Sequence, residues 1–174
     1  MKPIIILLIV FFLLAAGLAV YFHGSSFGNK EPVPEPSVLQ KEMRSVALYY
    51  YNSEIDKDAS GNIMCSRRGL VEVWRDIPTT ETPIEDAIRL LIRGELTDNE
   101  RQAGLATEFP LPGLVLTGTK RAGGILTLEF NDPQNKTSGG ACRAGVFWLQ
   151  IEATAKQFPG VEQVKFFPDT IFQP

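Results

Sequence analysis

Between Ile4 and Phe22 the chain is an unbroken apolar run with no charge and no proline. At 1.5 Å per residue such a run is about 28 Å long, close to the hydrocarbon thickness of a bilayer. In lipid each backbone N–H and C=O must be paired within the segment, so the run is expected to be a transmembrane helix. Lys2 and the amino terminus precede it, and Glu31 and Glu35 follow it. The positive-inside rule then keeps residues 1–3 in the cytoplasm and sends everything past about residue 23 across the membrane. The expectation is a single-pass protein held by an uncleaved signal anchor over residues 4–22. The competing reading is a cleaved signal peptide, with Gly17 and Ala19 as small residues near a cleavage point. Leu14 to Gly17 looks like the approach to a bacterial lipobox, but Leu18 stands where the lipidated cysteine belongs.

The remaining chain suits one domain. Its total length is 174 residues and 44% of them are apolar, enough to pack a core once the anchor is set aside. The net charge of −3 gives no basic face for nucleic acid and no polybasic grip on anionic lipid. Residues 23–44 read as a tether. Gly24-Ser25-Ser26 is flexible, and prolines alternate from Pro32 to Pro36, which favours an extended polyproline II path. His23, the only histidine, reads as a solvated linker residue.

Residues 45–174 carry the globular pattern. Val46–Tyr51 and Leu70–Arg75 are expected strands. Thr82-Pro83-Ile84-Glu85 forms a capping-box pattern with proline at the first helical position. Ile84, Ala87, Ile88 and Leu91 then make one apolar stripe, and Gly94 is placed to end the helix. Thr97 to Glu100 is a second capping box, so a short helical turn is expected in the next loop. Leu114–Lys120 and Ile125–Phe130 flank a Gly123-Gly124 turn. A second helix is expected within 139–158, with Ala144, Phe147, Trp148, Ile151, Ala155 and Phe158 as its core stripe. Pro159-Gly160 stops it, and Val161–Phe167 is the last strand. The expected fold is α+β with the order β-β-α-β-β-α-β, both helices packed on one face of a single sheet.

Cys65 and Cys142 are the only cysteines, and both follow the anchor. Beyond the cytoplasm a disulfide between them is expected. Two free buried thiols, or a reactive Cys142 at a helix start, are the alternatives. The residues offer little chemistry. Zinc needs several clustered Cys or His ligands, and no phosphate-binding glycine loop follows a strand. Glu129 and Asp132 could be read as a carboxylate pair, but the surrounding sequence is that of a strand end and turn. Asn135-Lys136-Thr137 matches a glycosylation sequon, Gly139-Gly140 an anion-binding helix entry, and Phe147-Trp148 an aromatic patch. Turn, helix entry and core are the plainer readings. No catalytic residue, cofactor or metal is expected.

The loop after the first helix adds a resemblance. Leu91 to Thr97, with Gly94, Thr97 and Glu100, is followed by Gly104-Leu105 and by Thr107 to Pro110. This order resembles the GerMN (spore-germination GerM-like) domain signature. The Gly123-Gly124 hairpin, the strand ending at Asn131 and the stretch around Pro159-Gly160-Val161 fit it too, from about Val46 to Pro168. Pro168-Asp169-Thr170 departs from the family's usual Asp-Gly close. The resemblance implies structural roles for Gly94, Thr97, Glu100, Gly104, Leu105, Pro110, Pro159 and Gly160. It implies a non-catalytic module outside the cytoplasm in the bacterial cell envelope. Its expected work is binding itself, as a homo-oligomer, or another envelope protein, through an uncovered sheet face or a free strand edge. The alternative is a small-molecule or cell-wall ligand binder, with the Gly94–Gly113 loop as a lid.

Overall fold

A computed structural model describes residues 42–173. The expected anchor, its competing signal peptide, and the tether up to residue 41 with His23 lie outside the described residues. Among the described residues no helix is long and apolar enough to cross a membrane. Residues 41–174 form a compact unit of their own.

Among the described residues the domain has five strands and three α-helices, besides two short 3-10 turns: β1 (Met43–Tyr51), β2 (Leu70–Pro78), α1 (Pro83–Ile92), α2 (Asp98–Gln102), β3 (Val115–Ala122), β4 (Ile125–Asn131), α3 (Ala141–Lys156) and β5 (Gln163–Phe167). The expected order holds, and α2 is the helical turn anticipated at Thr97. The strands do not form the single sheet expected. β1 and β2 pair antiparallel as one sheet, and β3, β4 and β5 form another in that order.

The reason lies at the second edge of β1. In an antiparallel pair, alternate residues turn their N–H and C=O towards the partner and the others turn theirs away. Thr79 N donates to Glu42 O and Asn52 N to Gly69 O, so the even-numbered residues of β1 face β2. Ala47, Tyr49 and Tyr51 therefore direct their backbone groups outward. None of them meets a third strand of the second sheet. Ala47 N donates to Gln157 Oε1 at 2.8 Å, and Ala47 O accepts from Gln157 Nε2 at 2.6 Å. Tyr49 N donates to Thr154 Oγ1 at 3.1 Å, and Tyr51 O accepts from Ala106 N at 2.8 Å. Side chains from the end of α3 and one loop residue thus take the place a further strand would occupy.

Both sheets still share one core. Val46, Leu48 and Tyr50 of β1 join Ala87, Ile88 and Leu91 of α1, Leu126, Leu128 and Phe130 of β4, and Phe147 and Ile151 of α3. α1 packs on β1, β3 and α3, while α3 packs on β1 and β5. Gly123 and Gly124 have φ of 54° and 78°, the two positive values of the tight hairpin turn between β3 and β4. β4 and β5 run parallel with α3 as their crossover. The C-terminal tail is more than an appendage: Phe172 is buried, with its ring centroid 5.5 Å from Phe130 and 5.2 Å from Phe166.

One local expectation fails. Thr82 precedes α1 but makes no side-chain cap bond. Its neighbour Thr80 takes over: the Thr80 hydroxyl bonds Asp86 and accepts from Thr82 N, while Glu85 pairs with Arg89 instead of reaching back. The box at Thr97 does form, with Thr97 N donating to Glu100 Oε2 at 2.8 Å and Glu100 N to Thr97 Oγ1 at 3.3 Å.

Candidate functional site

The long β1–β2 connection is built around Asp56, which is buried. It accepts from Tyr51 Oη at 2.6 Å and from Ser66 N and Ser66 Oγ. Burial alone would raise its pKa; the Ser66 and Tyr51 hydrogen bonds outweigh that and hold it at about 2. Two further ties join this connection to α3. Arg67 pairs with Glu152, and Cys65 is disulfide-bonded to Cys142, with Cα atoms 5.3 Å apart across 77 residues of sequence. The expected disulfide is present, which leaves Cys142 no free thiol.

The Gly94–Gly113 loop packs as a wall of the domain. Leu96, Leu105, Phe109 and Leu111 are buried in the core, and Phe109 stacks on Phe147 with centroids 5.0 Å apart. Gly94 (φ 68°) ends α1 against the backbone of Phe109, and Gly104 (φ 88°) sits against the Asn52 side chain. Pro110 follows a cis peptide bond. At the far end of α3, Pro159 O accepts from Arg121 at 3.1 Å, and Gly160 has φ 78°.

Glu100 does two jobs. Besides capping α2 it accepts two bonds from Arg75 of β2, at 2.8 and 2.7 Å. The Arg75 hydrogen bond is the main cause holding the Glu100 pKa at about 2, against burial, which acts to raise it. A carboxyl whose pKa falls on folding stabilises the fold above its unfolded value and loses that contribution as pH drops. The Glu100 contribution is therefore complete above about pH 5 and disappears as pH falls from the unfolded value of 4.5 through about 2. Glu100→Gln is expected to lower stability at pH 7 by about 1–2 kcal/mol, allowing for partial solvent screening. It should also flatten the acid limb of a urea-midpoint profile between pH 5 and 2. An unchanged acid limb would place the acid sensitivity elsewhere, Asp56 first.

The residues singled out for chemistry scatter into structural roles. Glu129 pairs with Lys120. Asp132 accepts from Thr137 N at 2.8 Å within its own turn. Thr137 of the sequon is buried. Trp148 is half-buried and packs edge-on against Phe166. Among the described residues no group of three or more His, Cys, Asp or Glu is placed to hold a metal ion.

Two features remain that have the character of sites. The first is the outer face of the β3-β4-β5 sheet. Leu128 and Phe166 are partners on the core side, so Glu129 and its partner Phe167 point the other way. Phe167 is 61% exposed there, and Val115, paired with Asn131 on the same face, is 47% exposed. The second is a groove of about 500 Å³ along one side of α3, walled by Tyr51, Ile63, Ala106, Val146 and Phe147, with Gln150 lining it. An uncovered sheet face is one of the surfaces expected from the sequence; the groove is not. For Gln150 a signal existed, since it lies three residues after Phe147, on the buried side of an otherwise apolar stripe.

The Germane family profile, described as "Sporulation and spore germination", matches residues 47–169. Among solved structures, one titled "Tandem GerMN domains of the sporulation protein GerM from Bacillus subtilis" is 22% identical with a TM-score of 0.49, over 72% of this chain and 39% of that one. The chain thus spans about two-fifths of that structure's length. No match is found among curated proteins. With the family profile running from β1 past the end of β5, this chain belongs to the Germane (GerMN) family.

Proposed function

We propose that the chain is a non-catalytic module of the bacterial cell envelope that works by binding protein, first of all further copies of itself. Anchoring through residues 4–22, with the amino terminus in the cytoplasm and the domain on the other side, belongs to the same reading. The observation that carries it is Phe167. A large aromatic ring left 61% exposed on a sheet face, with no described helix over that face, is apolar area that association would remove from water. Lys120, Glu129 and Lys165 lie on the same face, charged groups that would set orientation between partners. The edge of β1 is closed by Gln157 and Thr154, so strand addition there is not part of the proposal.

Light scattering of purified residues 41–174, and of the full chain in detergent, over a concentration series tests this. A defined oligomer is expected. Phe167→Asp, at an exposed position, should dissolve it while leaving the circular dichroism spectrum unchanged. A monomer in both forms at every concentration would end self-assembly as the reading and direct the search to a different envelope protein.

A further inference from the structure

The groove beside α3 carries a separate inference, since it shares no residue with the Phe167 face. Its floor is apolar, yet Gln150 lines it, only 1% exposed and with its Nε2 unpartnered. A buried amide without a partner is costly to the fold, and this one borders a cavity of ligand size. At the other end of the same groove lies the start of α3. Its first residues, Ala141 and Cys142, line the groove together with Gly139 and Gly140. Gly140 is the N-cap and provides no side-chain cap, and a Cβ built on it would meet nothing within 4 Å. The free amides at a helix start attract an anion, helped by the helix dipole. The nearest charges, Glu108 and Arg143, cancel in a 2.6 Å ion pair.

The two polar ends are separated by apolar wall. Nine residues of helix rise about 13 Å, and a helical side chain leans back towards the N-terminus, so the acceptor that Gln150 would serve sits about 10 Å from an anion at the helix start. Three extended residues of a peptide cover about that distance.

We propose that this groove binds the free C-terminal end of an apolar peptide. The terminal carboxylate accepts from the α3 start, the side chains pack against Val146, Phe147 and Ile63, and Gln150 turns its buried Nε2 into the groove to donate to a peptide carbonyl about three residues back. The disulfide at Cys142 holds the carboxylate end of the groove in place.

The test uses the full chain in detergent and the peptide Gly-Ala-Val-Phe carrying a fluorophore on its N-terminal amine, the same labelled peptide as its C-terminal amide, and octanoate as a competitor. Detergent partitioning is common to all protein variants and subtracts. Saturable binding of the acid is expected, with at least tenfold weaker binding of the amide and little competition by octanoate. Gln150→Leu removes the unpaired amide at similar volume, and Ala141→Glu lets the helix start bond its own side chain. Both should melt no lower than the wild type, and both should weaken binding at least tenfold. Equal binding by Gln150→Leu would mean that a water satisfies the amide, and would overturn the proposal. Equal binding of acid and amide, octanoate competing as well as the peptide, or no saturable binding would overturn it too. None of these outcomes bears on the oligomer test at Phe167.

Discussion

Replacing Cys65 and Cys142 together by serine is expected to lower stability by about 4 kcal/mol. The bond spans 77 residues, and closing a loop of that size removes about 4.5 kcal/mol of chain entropy from the unfolded state as an upper figure. The native state loses little by comparison. The β1–β2 connection keeps Asp56 with its Tyr51 and Ser66 partners, and Arg67 still reaches Glu152 on α3. The double variant should therefore fold to the same structure, and the loss should appear as a lower denaturation midpoint. Because the unfolded chain is freed to expand, the denaturant slope m should rise as well. Wild type unfolded in reductant should match the double variant in both quantities. A midpoint within the equivalent of 1 kcal/mol of wild type would show that the unfolded chain already holds these two regions together.

What the sequence made legible was local chemistry. The Thr97–Glu100 box, the Gly123-Gly124 turn and the stripe from Ile84 to Leu91 each depend on residues within one or two turns of one another, and each forms. The Thr82 box has the same pattern and fails, because Thr80 lies just outside that pattern and engages both Asp86 and the Thr82 amide. The division into two sheets was not legible. It depends on which group takes the outward backbone of β1, and the answer, Gln157 and Thr154, lies 110 and 105 residues away. Both sit at the end of a helix, where a polar residue reads as solvent-facing. The burial of Phe172 is of the same kind, since a short tail carries no periodicity to reveal that an aromatic cluster of β4, β5 and α3 awaits it. The groove was hidden for the opposite reason. Its one telling residue, Gln150, stands in a stripe whose apolar members were enough to explain the helix.

Gly94→Ala is expected to destabilise the domain by about 3 kcal/mol or more. The glycine has φ 68°, and a Cβ there would stand 1.9 Å from Phe109 O and 2.4 Å from its carbonyl carbon. These are backbone atoms, so no side-chain rotation relieves the contact. Phe109 is itself buried and stacked on Phe147, so shifting its carbonyl disturbs the core where the loop wall meets α3. An L-residue in the left-handed region costs about 1–2 kcal/mol by itself, and forcing apart packed segments adds about 1–3 kcal/mol. Gly123→Ala separates the two effects. That glycine has φ 54° and open space where the Cβ would go, so only the conformational cost of about 1–2 kcal/mol applies. Urea midpoints of the two variants measured side by side give the difference. A Gly94→Ala loss no larger than that of Gly123→Ala would mean that the Phe109 carbonyl can swing away from the end of α1 without unseating its ring from Phe147, and that the 94–113 wall is held by its buried leucines alone.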